Sequence, residues 1–578
     1  MDLDVAVIGG GCSGTYSAWR LQQDRGETEK IALFEYSDRI GGRLYSVTVP
    51  GVPHVKAELG GMRYIPDAHI MVADLINHLG LQTRDFPMGA PAPVGSNCNL
   101  FYLRGKHLRL HELSDPDKVP YNLAWSERGL GPTNLQVQVM NNLYPNFGNL
   151  SLCDQMKIKV FNKPIWKYGF WDLMFRVLSN EGYQFMRDAG GYDANVANAN
   201  AVTQLPATEY SDDTKFLTLA NGYDELPITL AKQFNEDFPG KLAKGKRVYM
   251  NHRLEEIIVG TGEYPYTLIF RPTKTVDAKT EILDDEDTTR VRCKKLILGL
   301  PRRSLELIKS SFFDDPWLKE NMGSVLIQSA FKLFMAYETP WWRSLGLVAG
   351  RAVTDLPVRQ VYYFGTEGAQ EGGYPFMNSL LMASYNDIST VPFWKGLEAD
   401  KHNTEEHYKG YRPACLEPDA RGWMPVTEFP ASAEMVEVAN LQVATVHALP
   451  EIPKPYSAVY HSWNEDPYGG GWHEWKAGYR LDEIMCRMRK PVAGVDIHIV
   501  GEAYSYGQGW VEGALDTAES MLQEFFHMKP PAWLDPSYAL LPNPCPGCGD
   551  LEGCVETWTA GQTLPSMTPN CMAPVEEG

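Results

Sequence analysis

The first apolar stretch of the chain, Leu3 to Ile8, is short and runs straight into glycines. A brief unbroken apolar run closed in this way reads as a buried parallel strand. Over residues 14–24 the pattern changes: Tyr16, Ala18, Trp19 and Leu21 recur at helical spacing. Ile31 to Phe34 is a second apolar run, closed by Glu35. Together they predict one βαβ unit at the start of the chain. From about 116 to 214 alternating strands are few, Asn is frequent, and helical periodicity surfaces in places such as Trp171 to Val177, so a helical insertion is expected. Residues 245–300 return to strand patterns at Arg247–Met250, Tyr266–Phe270 and Lys295–Leu298. The acidic run Asp284-Asp285-Glu286-Asp287 between the last two reads as a solvated hairpin tip. The region 326–454 mixes strands and loops. From Ile497 to Leu522 the pattern is again strand, glycine turn and helix, the helix starting near Trp510 with Ala514, Leu515, Ala518, Met521 and Leu522 on its apolar side. No internal repeat is visible.

Length and charge narrow the field. A chain of 578 residues divides into two to four lobes at ordinary domain sizes. Its net charge of −19 repels nucleic acid and anionic lipid, so neither is expected as a partner. The start Met1-Asp2-Leu3-Asp4 lacks the basic residues and long apolar stretch of a secretory signal. No run approaches the ~20 apolar residues of a membrane span. A soluble protein is expected, cytoplasmic by default. Six of the ten cysteines are scattered, and Cys545, Cys548, Cys554 and Cys571 fall in a Pro/Gly-rich tail. Cys545-Pro-Gly-Cys548 has zinc-like spacing, but the preferred reading is a Pro/Gly-rich extension with free or casually paired thiols, and no metal is expected.

Chemistry enters with Val7-Ile8-Gly9-Gly10-Gly11-Cys12-Ser13-Gly14. In Gly9-x-Gly11-x-x-Gly14 the first glycine permits the tight turn, the second lets backbone approach a pyrophosphate, and the third lets helix and strand pack closely. The helix N-terminus then offers free N–H groups to phosphate. Glu35 follows about 20 residues after Gly14, where an acidic partner of a ribose hydroxyl belongs. A carboxylate there disfavours a 2′-phosphate, so NADP fits poorly.

Arg39-Ile40-Gly41-Gly42-Arg43 is a second glycine turn, flanked by cations that can fork onto phosphate or stack on a ring. With it the chain resembles the flavin amine oxidase superfamily, which includes monoamine, polyamine and L-amino-acid oxidases. The resemblance continues in the family's order through Ala57–Tyr64, Thr218–Pro227, Arg247-Val248, Lys295–Pro301, Gly501–Tyr504 and Gly509–Ala514. It implies non-covalent FAD contacted by Gly9, Gly11, Ser13, Gly14, Glu35, Tyr36, Arg39, Gly42, Arg43, Gly60, Gly61, Met62, Arg63, Val248, Gly501, Glu502, Gly509, Trp510 and Val511. Ser505 to Gly509 contains no cysteine for covalent attachment. It further implies an α/β protein with a Rossmann-like, GR2-type FAD-binding domain, a mixed-sheet substrate domain and the helical insertion. The expected boundaries are 1–60, 215–325 and 455–530 for FAD binding, 61–115 and 326–454 for substrate, 116–214 for the helices and 531–578 for the extension.

An amino acid differs from a plain amine in its carboxylate, and arginine matches two oxygens with two parallel N–H groups. Arg63 in Gly60-Gly61-Met62-Arg63 resembles the carboxylate-binding arginine of L-amino-acid oxidases, with glycine in place of the family's proline. Tyr363, in Thr354–Tyr363, resembles the tyrosine that donates to the same carboxylate, which would place it beside Arg63. Lys332, inside the apolar run Phe331–Phe334, resembles the lysine that holds a water near the flavin. The resemblance puts Trp510 against the substrate, with the Gly509 carbonyl accepting from its amine, and lets Trp472 shape the side-chain subsite. The 13 histidines, His69 among them, are read as ordinary. These expectations define an L-amino-acid oxidase that uses O2 and releases hydrogen peroxide. They favour apolar or aromatic side chains, leave basic ones open, and admit a homodimer. The alternatives are an amine or polyamine oxidase on the same fold, a flavin dehydrogenase or desaturase, and a flavoprotein without catalysis.

Overall fold

The computed structural model describes residues 1–25, 28–89, 99–204, 214–236, 247–276, 279–363, 378–399, 405–413 and 430–540. The tail cysteines 545, 548, 554 and 571 lie outside these.

An eight-stranded sheet carries the dinucleotide motif. Its parallel part runs in the order Val248–Tyr249, Ile31–Phe34, Asp2–Ile8, Thr289–Leu298 and Ile497–Ile499. Strands covered on both faces need apolar residues at every position, and Ile31–Phe34 is buried throughout. The strand Thr289–Leu298 changes partner midway. Its first half pairs antiparallel with Tyr266–Val276, which pairs in turn with His252–Val259, while Leu296–Leu298 pairs parallel with Ile497–Ile499. The acidic run 284–287 lies exposed at a turn, as its composition predicts.

Helix Cys12–Arg25 follows the glycine loop and packs against helices Glu225–Asn235 and Val511–Phe526. The tie to the last helix is polar as well as apolar. The fully buried Glu519 accepts from Tyr16 at 2.7 Å and from Arg20 at 3.1 Å. A buried carboxylate is tolerable only with such partners.

A second sheet of seven strands runs Ser457–Ser462, Ala330–Tyr337, Ser379–Asp387, Gln360–Tyr362, Arg351–Thr354, Leu100–Leu103, Lys106–Arg109. Ser457–Ser462 therefore belongs to this sheet, although the sequence boundary at 455 assigns it to the FAD lobe. The insertion is helical as expected: Pro132–Leu143, Leu152–Lys157, Phe170–Val177, Asn180–Gly190 and Ala201–Gln204. It adds one small strand pair, Lys159–Val160 with Lys163–Pro164. Among the described residues no helix is long and apolar enough to cross a membrane, and no cluster of His, Cys, Asp and Glu is arranged to hold a metal ion.

Candidate active site

A cavity of about 390 Å³ runs from the glycine loop to the face where the two sheets and the insertion meet. At its nucleotide end, Gly9 turns the chain with φ of +104°. A Cβ on Gly14 would sit 1.9 Å from the Gly9 carbonyl oxygen, so only glycine allows this helix to meet this strand. Gly11 is different. The nearest atom to a Cβ there is Gly42 Cα at 3.8 Å, and the open side faces the cavity. That is the space a pyrophosphate takes when it approaches backbone. Glu35 is fixed by Gly10 N at 2.6 Å, Ser37 N at 2.9 Å and Ser37 Oγ at 2.8 Å. Two carboxylate oxygens offer about four acceptor positions, so capacity remains for ribose hydroxyls. The residues present fit FAD.

Two nucleotide-end expectations change. Arg39 turns inward: it donates to the carbonyls of Leu44, at 3.0 Å, and Gly42, and stacks 4.1 Å from Tyr45. It shapes the basic turn and lies outside the cavity wall, whereas Arg43 and Tyr36 line it. Val248 also lies off the wall, because Val248–Tyr249 pairs as a strand with Leu33–Phe34. The wall there is His252, Arg253 and Leu254. Val248–Tyr249 is the more apolar of the two segments and His252-Arg253-Leu254 the more polar, so the cavity takes the segment that the apolar pattern does not single out.

Glu502 lies beneath the centre of the cavity. Arg43 Nη1 approaches it at 2.8 Å, His473 donates from its backbone N at 2.8 Å, and its ring Nδ1 lies at 2.9 Å. Gly509 N donates at 2.8 Å. Burial pushes this carboxyl up, but Arg43 and His473 outweigh it and hold it at about 2. Glu502 thus ties the basic turn, the strand Trp472–Trp475 and the Gly509 turn together. Gly501, Gly509, Trp510 and Val511 line the cavity with it, and Ser13 Oγ lies 3.5 Å from where a Gly501 Cβ would be. Gly14 packs behind.

At the far end Gly60, Gly61, Met62 and Arg63 pass over the cavity. Lys332 Nζ donates to the carbonyls of Glu58, at 3.1 Å, and Gly60. It lies 4.6 Å from the Tyr385 ring. Burial drives Lys332 well below the usual lysine range, and Arg63 adds to this. The Arg63 guanidinium is 4.2 Å from the Phe216 ring, 5.2 Å from Phe86 and 5.6 Å from Tyr362, with Nη1 at 2.7 Å from Met88 Sδ.

Tyr363 is not beside it. Neighbouring residues of a strand face opposite ways, and Tyr363 points into the other face, its hydroxyl 2.9 Å from His447 Nε2. Tyr362 is the residue that meets Arg63. Arg63 and Arg351 hold its phenol below the ordinary value against the upward push of burial. Trp510 lines the cavity with its ring 4.5 Å from His69. His69 is neutral, lowered to about 4 by burial, and its Nδ1 accepts from Ile65 N. Trp472 lies 3.8 Å from where a Gly509 Cβ would be.

Several wall residues escaped the sequence reading. Tyr192, Asn195, Thr203 and Gln204 come from the insertion, whose helical periodicity signals burial but not which residues face a ligand. Glu474, on the strand Trp472–Trp475, is pushed up to about 8 by burial while Gln328 and Gln204 donate to it. This wall is more polar than an apolar or aromatic preference requires.

A Rossmann-like lobe whose glycine cradle leads to a buried lysine and arginine defines an FAD-dependent oxidoreductase. The profile of the flavin containing amine oxidoreductases matches residues 13–390, and the chain belongs to that family, acting on CH–NH2 groups with FAD as cofactor. It is 31% identical to Aplysianin-A of Aplysia kurodai over 545 residues, covering 92% of each chain. It is 27% identical to Achacin of Lissachatina fulica, covering 91% of this chain and 93% of that one. An L-amino-acid oxidase of Naja atra is 24% identical over 62% of this chain and 63% of its own. Putrescine oxidase bound to putrescine shares the fold, with a TM-score of 0.60 at 17% identity over 91% of this chain and all of that one.

Proposed function

We propose that the chain is an L-amino-acid oxidase, converting an L-amino acid, O2 and water into a 2-oxo acid, ammonia and hydrogen peroxide. The observation that carries this is Arg63: a buried guanidinium in the same cavity as Lys332 and Trp510, on the segment that follows Gly60-Gly61. The name of the Naja atra relative supports the same reading.

FAD supplies the two-electron oxidation of the amine to an imine and passes the electrons to O2. The protein's part is position. Arg63 fixes the carboxylate through two parallel N–H groups, and Tyr362 stands beside it. Trp510 and Trp472 wall the reacting carbon and limit its approach. The Gly509 carbonyl would accept from the amine, and Lys332, anchored on the Glu58 and Gly60 carbonyls, would hold a water near the flavin. The imine hydrolyses without further help. The flavin is held without a covalent bond: Cys12, the cysteine on the described wall, is a thiol pushed up to about 12 by burial. We assign cofactor contacts to Gly9, Gly11, Ser13, Glu35, Tyr36, Gly42, Arg43, Gly60, Gly61, Met62, Gly501, Glu502, Trp510 and Val511. A cytoplasmic location sits poorly with Cys153, which is disulfide-bonded, because such bonds persist in oxidising compartments.

One observation favours a second reading, a polyamine oxidase. The Glu474 carboxyl on the wall would receive a second ammonium group. Arg63→Ala separates the two. For an amino-acid oxidase, KM for the amino acid rises by at least about 100-fold with a plain amine little affected, as removal of a charged bidentate clamp demands. Peroxide assays on L-amino acids, benzylamine and spermidine measure it. Unchanged amino-acid turnover in Arg63→Ala overturns the assignment.

A further inference from the structure

We propose that Tyr192 is a substrate-recognition residue delivered to the Arg63 pocket from the helical insertion, and that Asp387 is the positioning residue that holds it there. The proposal rests on the amino-acid reading of the site.

Delivery begins at a helix end. Helix Asn180–Gly190 stops at Gly191, which takes φ of +85° and turns the chain toward the cavity. The next residue is Tyr192, buried and on the cavity wall. Its hydroxyl lies 3.2 Å from that of Tyr362, whose ring is 5.6 Å from the Arg63 guanidinium. Its ring meets Tyr385 edge-on at 5.1 Å, and Tyr385 in turn covers Lys332. Tyr192 therefore touches the tyrosine beside each of the two cations of the pocket. Tyr362 donates to Gln360 Oε1 at 3.1 Å, which leaves its oxygen to accept from Tyr192, and Tyr385 is a second hydrogen-bond partner of the Tyr192 hydroxyl. A carboxylate seated against Arg63 is a stronger acceptor than a phenol oxygen, and the Tyr192 proton turns to it.

The hold on this turn is reciprocal. Asp387, fully buried at the end of strand Ser379–Asp387, accepts from Asp193 N and Ala194 N, each at 2.9 Å. Asp193 returns the contact: it accepts from Ser389 N at 3.1 Å and from the Ser389 hydroxyl, and pairs with Arg187 at 3.1 Å and Arg359 at 3.5 Å. Two carboxylates on two segments thus grip each other's backbone immediately beside Tyr192. A loose turn is ill suited to place a hydroxyl to a fraction of an ångström, and a misplacement of ~1 Å is enough to cost binding and rate heavily. The clamp removes that freedom.

The test compares Tyr192→Phe and Asp387→Asn with the parent, and with Tyr121→Phe, which removes another buried hydroxyl of the insertion, the one that donates to Asp188. The probes are the best L-amino-acid substrate and benzoate as a carboxylate lacking an amine. Loss of one hydrogen bond to a charged group predicts about a tenfold rise in KM and in the benzoate inhibition constant for Tyr192→Phe. We expect the same direction for Asp387→Asn, with kcat within about threefold and flavin absorbance per chain unchanged. Tyr121→Phe should match the parent. Parental KM and benzoate inhibition in Tyr192→Phe overturn the proposal, as does a loss confined to flavin content. Tyr192→Phe removes one oxygen, and it carries the test if Asp387→Asn does not fold. Insensitivity of amino-acid turnover to Arg63→Ala sinks the amino-acid reading itself. Sensitivity to Arg63→Ala with Tyr192→Phe unchanged sinks only the role of Tyr192.

Discussion

At the scale of single residues, the chemistry was most legible where a motif fixes its own register. Arg63 and Lys332 both line the cavity, and each was visible in the sequence through a local geometric demand: glycines that must pass close to other backbone, or an apolar strand with one polar interruption. Tyr363 failed for a matching reason. A Tyr–Tyr pair on a strand offers one ring to each face, and choosing between them needs the sheet's pairing, which sequence does not carry. The two tyrosines now make opposite predictions for KM. Tyr362→Phe is expected to raise KM for an amino acid several-fold, because its hydroxyl belongs to the network beside Arg63, and also to cost roughly 1 kcal/mol of stability through its lost bond to Gln360. Tyr363→Phe is expected to leave KM alone and to cost roughly 1 kcal/mol of stability, the worth of one buried hydrogen bond, here to His447. Steady-state kinetics and urea denaturation of the pair settle it. If Tyr363→Phe changed KM and Tyr362→Phe did not, the register given to the site would be wrong.

Among elements, the βαβ unit was readable to within a few residues. Strand Ile31–Phe34 matches its apolar run, and the last helix starts one residue after Trp510. The adenine-side wall was not readable: Arg247–Met250 and His252–Leu254 both look like strand, and only pairing shows that the first is consumed by Leu33–Phe34. The insertion was legible as helices but silent about its contribution to the pocket, since Tyr192 sits in a turn and Asn195 in the three-residue helix Ala194–Val196, both too short for periodicity to apply. The glycine loop allows a sharper test, because two of its glycines are required for different reasons. Gly14→Ala forces a methyl group to 1.9 Å from the Gly9 carbonyl, so the helix must leave the strand. The expected result is a loss of at least ~1–3 kcal/mol of stability, as for overpacking elsewhere, together with loss of flavin. Gly11→Ala meets protein no closer than 3.8 Å. Its methyl group takes only the space of the pyrophosphate, so the apoprotein should melt like the parent apoprotein and bind FAD at least tenfold more weakly. Melting of both apoproteins and flavin titration measure this. A Gly11→Ala protein that stays fully yellow would remove the phosphate site from the loop.

The whole molecule is held together at the cavity by one side chain. Glu502 links Arg43 to His473 and Gly509, which follow it by more than 400 positions, and all three line the flavin cavity. Its pKa turns that geometry into a pH dependence. The folded value, about 2, lies below the ordinary 4.5. The unfolded chain therefore takes up this proton first as the solution is acidified. The stabilisation is complete above pH 4.5 and disappears as pH falls from 4.5 to 2. Glu502→Gln removes the charge at every pH and leaves Arg43, partly exposed, beside a neutral amide. Breaking one side of a fully buried pair costs ~3–5 kcal/mol, and partial solvation of Arg43 lowers this, so the variant should be weaker than the parent at pH 7 by about 3 kcal/mol at most. Between pH 4.5 and 2 the parent loses what the variant never had, so its stability should fall more steeply and the two curves should converge. Flavin release should follow the same course, since protonation loosens the Gly509 turn and Arg43 together. Urea midpoints and flavin fluorescence recorded from pH 7 to pH 3 test both. Parallel curves for parent and variant across the acid range would mean that Glu502 is not what joins the three segments.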